Sequence, residues 1–285
     1  MLNISPEKER KLAIGWMLIS AFSFAIMGAF VKVTTEVPLM EKVFFRNLVT
    51  FVLMLVVIIK KRENPFAQGR VTKYLILRAL AGLTAVIMYF YAIANMTLAD
   101  STILNKLSPF FVIIFAGIFL KEGINTKKIL VVIFAFLGAI MIIKPQFNLS
   151  IFPALAGFFS AVFAGIAYVV VRYLKGKAST AMIVFYFSTI SVIGTLPALY
   201  NNFVVPSFTT LLLLIGIGVF AGIGQITLTK AYHLAPASEI SIYSYTTILF
   251  ATIIGIFLGD SFPDTYSLIG GIIIFLTAYY NYKKR

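Results

Sequence analysis

Residues 78–122 read RALAGLTAVIMYFYAIANMTLADSTILNKLSPFFVIIFAGIFLKE, two apolar runs joined at a polar corner, NMTLAD, with Arg78, Asp100, Asn105, Lys106 and Pro109 inside or against them. Each run is about as long as a helix needs to cross a hydrocarbon core, roughly 17–25 residues. A charge at the centre of such a helix costs about 2.5–3.5 kcal/mol on insertion scales, so the polar groups kept there are functional candidates. The stretch has a second, fainter copy. Leu234-Ala235-Pro236-Ala237-Ser238 aligns with Met96-Thr97-Leu98-Ala99-Asp100, and Gly255-Ile256-Phe257-Leu258-Gly259-Asp260 with Gly117-Ile118-Phe119-Leu120-Lys121-Glu122, both at an offset of 138 in a chain of 285 residues.

Composition agrees with a membrane reading. Hydrophobic residues make up 60% of the chain, charged residues 12%, and the mean hydropathy is +0.98, against an apolar share of about 45–50% in soluble domains. The expected fold class is an all-α polytopic membrane protein, because the apolar runs are too long for barrel strands of about ten residues. No small-residue cleavage pattern follows the first run, Leu12 to Val31, so it is expected to stay as the first span. With no cysteine and a single histidine, His233, the chain offers no thiolate or imidazole cluster to a metal, and nothing in it calls for a cofactor.

Hydropathy and helix breakers predict ten spans, at 12–32, 41–59, 74–94, 100–120, 128–144, 151–171, 181–200, 208–229, 237–258 and 265–281. An even number of spans puts both termini on one side, expected to be the cytoplasm. On that assignment eighteen lysines and arginines fall in cytoplasmic segments and one, Lys144, in the outer connections. Five more, Lys32, Lys42, Arg46, Arg78 and Lys106, lie within or at the edges of spans. The bias is a positive-inside signal, and it accounts for the net charge of +14 with membrane lipids rather than nucleic acid as the partner.

The offset acquires geometry from this count. Five is odd, so a second repeat at 147–285 must cross the membrane upside down relative to the first at 1–146. Inverted repeats place a site at their interface that each side of the membrane can reach in turn. Chance likeness between two apolar stretches is the rival explanation, and the near-midpoint offset argues against it. Pro109, interior to span 4, has no N–H to return to the Asn105 carbonyl, which leaves a polar notch beside Lys106. Small-residue ladders Ala21-Ala25-Ala29, Gly157-Ala161-Gly165, Gly218-Gly222 and Gly255-Gly259 predict close helix contacts.

Helical periodicity groups Trp16, Ser20, Ser23 and Met27 on span 1, Thr84, Met88, Tyr91 and Asn95 on span 3, and Thr102, Asn105 and Pro109 on span 4 with Lys106 alongside. Span 9 offers Glu239, Tyr243 and Thr246 on one stripe and Ser238, Ser241 and Tyr245 on the next, and span 8 adds Gln225. These stripes are expected to wall a polar, aromatic cavity; interfacial tyrosines and serines bonded to their own helix are the alternative. The substrate-binding candidates are Lys106, Asn105, Arg46, Tyr91, Trp16, Gln225, Tyr243 and Tyr245. Lys106 lies about two turns inside its span, too deep for snorkelling. Arg46 has an ion pair with Glu41 or a bond to a loop carbonyl as its alternative, and Arg78 and Lys32 could instead reach the headgroups. The coupling or gating candidates are Glu239, Asp100, Arg78, Lys32 and Pro109. Asp100 reads best as an acidic first-turn residue favoured by the helix dipole, and Glu239 is the better candidate for proton coupling.

Three segments carry a resemblance to a known family: FFRNLVTFVLML in span 2, YAIANMTLADSTILNKLSPFFVIIFAGIFLKE across spans 3 to 5, and KAYHLAPASEISIYSYTTILFATIIGIFLGD in the second half. The chain resembles the ten-helix EamA type of the drug/metabolite transporter superfamily over nearly its whole length, as two repeats. The resemblance implies an inverted five-plus-five arrangement, alternating access and small organic cargo. The second repeat departs from the pattern, with Tyr245-Thr246-Thr247 where Ser-Pro would fall and Asp260 in place of Glu.

The expected function is a multi-pass, secondary-active or facilitative transporter of the cytoplasmic membrane, acting as monomer or homodimer. An excess of embedded cations favours a small polar metabolite bearing a carboxylate or phosphate. Proton-coupled export of amino acids or cationic drugs is the alternative. An intramembrane enzyme is least expected, since no paired-aspartate motif or glycine-rich phosphate loop is present.

Overall fold

The computed structural model describes residues 6–64, 69–119, 126–143, 151–234 and 240–283, and every regular element among them is helical. Inside hydrocarbon a backbone N–H or C=O has no water to turn to, so each apolar run closes its own hydrogen-bond ladder. Helices α1 (Pro6–Val33), α2 (Leu39–Lys61) and α3 (Arg70–Asn95) precede an interrupted span made of α4 (Leu98–Asn105) and α5 (Ser108–Phe119), and α6 (Thr126–Ile143) follows. The second half repeats the order: α7 (Phe152–Tyr173), α8 (Thr180–Asn202), α9 (Phe208–Leu234), a 3-10 turn (Ser241–Tyr245) leading into α10 (Thr246–Phe257), and α11 (Thr265–Lys283). Seven segments, counting α4 with α5, are long and apolar enough to cross a bilayer. Three shorter apolar segments, Ile129–Ile143, Tyr243–Phe257 and Thr265–Tyr280, fall where the remaining three spans are expected.

The interruption corrects one expectation. Pro109 is not interior to a continuous helix; α4 stops at Asn105, the chain turns at Lys106 and Leu107, and Pro109 falls in the first turn of α5. A proline costs least there, because a first-turn N–H has no carbonyl to reach. The same break recurs at the 138-residue offset, since α5 spans 108–119 and α10 spans 246–257. It recurs without proline. Thr246 Oγ1 donates to the Tyr243 carbonyl at 2.7 Å and Thr247 Oγ1 to the Ser244 carbonyl at 2.8 Å, so hydroxyls occupy carbonyls at the break. Side-chain bonds of this kind bend helices, and Thr-Thr thereby stands in for Ser-Pro.

The two halves interlock. α1 packs on α9 and α3 on α7, while α2 faces α8, α6 faces α11 and α4 meets α10, so each pairing takes one helix from each half. Large apolar side chains such as Leu249, Phe119 and Phe257 stay exposed on the perimeter, as lipid-facing positions require. Glycines let α6 and α11 cross closely. A Cβ built on Gly138 would lie 2.7 Å from the Gly270 carbonyl oxygen, so only glycine admits this approach.

Gly138→Val is therefore expected to destabilise the purified protein by about 1–3 kcal/mol, the usual cost of overpacking. Gly15→Val, where a Cβ meets nothing within 4 Å, should leave the unfolding midpoint in detergent unchanged.

Candidate functional site

The fold gathers three of the cations that the sequence scatters. A cavity of about 100 Å³ lies between the halves, and Arg46 from α2, Arg78 from α3 and Lys106 from the α4–α5 turn all line it. Both arginines are deeply buried, 3% and 2% exposed, which removes the headgroup alternative for Arg78. Their guanidinium carbons stand 5.3 and 4.1 Å from the ring centre of Phe187 on α8. A planar, weakly hydrated guanidinium tolerates such a neighbour better than an ammonium would.

The hydrogen bonding around this pair is incomplete. Arg46 Nη1 donates to Asn47 Oδ1 at 2.8 Å, and Asn47 is held in turn by donation from Nδ2 to the Val43 carbonyl at 2.8 Å. Arg46 Nε, Arg78 Nε and Arg78 Nη1 find no acceptor among the described residues. Glu41 does not pair with Arg46; its Oε2 accepts the Val204 N–H at 3.1 Å. Gly82 makes the space for the group, because a Cβ there would sit 2.9 Å from Phe187 Cε2 and 3.3 Å from Arg78 Nη1.

Lys106 is presented by the broken span. Its N–H reaches the Thr102 and Ile103 carbonyls at 3.0 and 3.1 Å, and its carbonyl accepts the Tyr245 hydroxyl at 3.0 Å. The backbone is fixed from both halves while the side chain faces the cavity. Asn105 beside it donates from Nδ2 to Ser160 Oγ at 3.0 Å. Pro109 and Gln225 line the cavity as expected, as do Ser20 and Met27 of the α1 stripe; Tyr168 joins them, and no described lining residue is acidic.

The remaining candidates lie elsewhere. Tyr245 is 2% exposed and packs in the core against Phe275, acting on the site only through the Lys106 carbonyl. Trp16 lies under Lys230, whose ammonium is 4.5 Å from the indole centre, and Tyr243 packs in the same cluster near Met17 and Ile240. Tyr91 is 40% exposed on the perimeter. The wall that α3 presents is Arg78, Gly82, Ala85, Val86, Tyr89 and Phe90, and the polar stripe through Tyr91 sits about 150° round the helix from it at 3.6 residues per turn. Asp100 belongs to the first turn of α4, where its N–H donates to the N-cap Thr97 Oγ1 at 3.1 Å. Glu239 lies outside the described residues. Sequence reasoning passed over Phe187, Tyr89 and Tyr232 in the lining: each sits in an apolar run and carries no signal of its own.

Lys32 forms a separate constellation at the end of α1. Its ammonium pairs with the Asp260 carboxylate and donates to the Met96 carbonyl at 3.1 Å, while Asp260 Oδ2 accepts the Leu98 N–H at 2.9 Å. One carboxylate and one ammonium thus tie the ends of α1, α3 and α10 to the start of α4. Local sequence builds the carboxylate's position. Gly259, at φ +90°, turns the chain so that the Asp260 N–H returns to the Gly255 carbonyl at 2.9 Å, and a Cβ on Gly255 would lie 2.9 Å from Asp260 Oδ2. Gly255 therefore serves both this clasp and the packing of α10 on Leu98 of α4, and Gly259 serves the turn.

The model of the EamA-like transporter family matches residues 11–144 and again 151–282. The chain is 35% identical over 263 residues to the pseudopaline exporter CntI of Pseudomonas aeruginosa, covering 90% of this chain and 91% of the relative. It is 29% identical to human solute carrier family 35 member G1, over 94% of this chain and 80% of that one. It is also 26% identical to an S-adenosylmethionine uptake transporter of Rickettsia bellii, over 94% and 92%. A crystal structure sharing 15% identity superposes with a TM-score of 0.65 over 93% of this chain and 96% of the other, a likeness of fold.

The clasp is tested by a double-mutant cycle. Lys32→Met and Asp260→Asn are each expected to lower stability by about 1–3 kcal/mol, and the double variant to lose less than the sum. Strict additivity in detergent unfolding would show that the two side chains act independently.

Proposed function

This chain belongs to the EamA-like transporter family and is a multi-pass small-molecule transporter, and from that premise we propose that its cargo bears a carboxylate or phosphate and crosses by alternating access. One observation carries the reading: Arg46, Arg78 and Lys106 share a cavity with no acid in its described lining. Buried cations that lack a protein counter-charge are costly, and an anionic cargo supplies what is missing. Lys106, Asn105, Arg46 and Gln225 are the proposed binding residues. Tyr168 and Phe187 provide apolar and aromatic walls.

The architecture fits this cycle. The repeated helix order of the two halves, with α5 and α10 at an offset of 138, supports an inverted repeat with both termini in the cytoplasm. Lys32 and Asp260 then close the outer face, and the paired breaks at Lys106 and Ser244 let the halves rock about the site. Bacterial relatives support the cytoplasmic membrane as its place. Secondary-active or facilitative transport is the reading for this chain by itself, whose sequence contains no Walker-type phosphate loop; a nucleotide-driven pump would need a partner to supply one. Relatives named for export and for uptake argue for neither direction. Proton-coupled export of a cation is the alternative; Asp100 is not among the described residues that line the cavity, and Glu239 lies outside the described residues.

The test is counterflow in proteoliposomes against a panel of organic carboxylates and phosphates. Lys106→Ala is expected to cut the rate for the transported anion by at least about tenfold, the equivalent of one lost charge-assisted contact, while the protein stays folded. Wild-type rates in that variant would overturn the assignment.

A further inference from the structure

The cavity's cations come from two structural settings, the arginines that share Phe187 and the lysine on the α4–α5 turn, and the difference narrows the cargo. We infer that the cargo is a diacid, with one anionic group seated at the Arg46–Arg78 pair beside Phe187 and a second at Lys106. This rests on the anionic-cargo reading and narrows it.

Three features of the cavity carry the inference. The arginine pair is a built site: both side chains are more than nine-tenths buried, and three N–H groups, Arg46 Nε, Arg78 Nε and Arg78 Nη1, have no acceptor among the described residues. Phe187 lies against the guanidiniums and Gly82 leaves the space they occupy, so the unpaired N–H edges are what this subsite offers to an incoming ligand. Planar N–H edges match the oxygens of a carboxylate or phosphate. Lys106 belongs to a different wall, held by backbone bonds to α4 and by Tyr245, and a compact ammonium contacts an anion as a point charge rather than a fork. A ligand with one carboxylate satisfies one of these subsites and leaves the other charge uncompensated in a low-dielectric space. A diacid satisfies both, and three lining cations with no acid in the described lining match at least two negative charges.

The experiment measures binding to the purified full-length protein by thermal shift at millimolar malonate, succinate and glutarate, each beside the monocarboxylate of equal chain length, with methyl phosphate as a dianion confined to one group. At least one dicarboxylate is expected to bind about tenfold or more tightly than its monocarboxylate partner. In Lys106→Met that preference should collapse to near unity while weak monocarboxylate binding persists; in Arg78→Gln both partners should weaken. If Arg78→Gln does not fold, the Lys106→Met ratio alone decides. Equal binding of mono- and dicarboxylates, a ratio unchanged by Lys106→Met, or methyl phosphate binding as tightly as the best diacid and indifferent to Lys106→Met would each overturn the two-group assignment and leave the anionic reading standing. Stabilisation by none of these anions would overturn both.

Discussion

An arginine inside a bilayer keeps its charge, and a charge that the protein does not neutralise must be neutralised by something else. Arg46 and Arg78 are in that position, buried against Phe187 with N–H groups that no described residue accepts. The surrounding fold is arranged so that they stay there: Asn47 holds one edge of Arg46, Gly82 gives up its side chain to admit the ring, and helices from both halves complete the wall. Replacing such groups by apolar ones of similar volume often stabilises a protein. Their retention is best explained by what passes through the cavity.

The second device is the broken span. A membrane helix can be interrupted only where its freed backbone groups find other partners. In the first half Pro109 starts a new helix, and the Lys106 carbonyl takes its hydrogen bond from Tyr245 of the other half. In the second half threonine hydroxyls do the corresponding work. The chemistry differs between repeats while the register of the break is kept, so it is the interruption that the two halves share. It sets Lys106 and Ser244, 138 residues apart, in the lining of one cavity, one charged and one neutral.

Much of this is written in the sequence, for identifiable reasons. Apolar length gives the spans, because hydrocarbon thickness is fixed. Lys106, Arg46 and Arg78 stand out because a charge in such a run is expensive. The walls are less legible. A period of 3.6 residues says which side chains share a stripe without saying which way the stripe points, and on α3 the cavity side turned out to be Gly82 and Ala85 rather than the more polar face bearing Tyr91. Smallness, which admits Phe187 and the guanidiniums, was the signal there. The partnership of Lys32 with Asp260 joins the two ends of the molecule and could not be read from either neighbourhood, although the glycines flanking Asp260 were visible in the repeat.

Central to the account is one cavity exposed to each side of the membrane in turn. The chain has no cysteine, so a single Ala85→Cys on the cavity wall can be labelled cleanly in sealed vesicles with a small, charged, impermeant thiosulfonate added from one side or the other. Labelling from both sides, slowed from both by the transported anion, is the predicted result. Labelling from one side alone, or at a rate the anion does not alter, would contradict it.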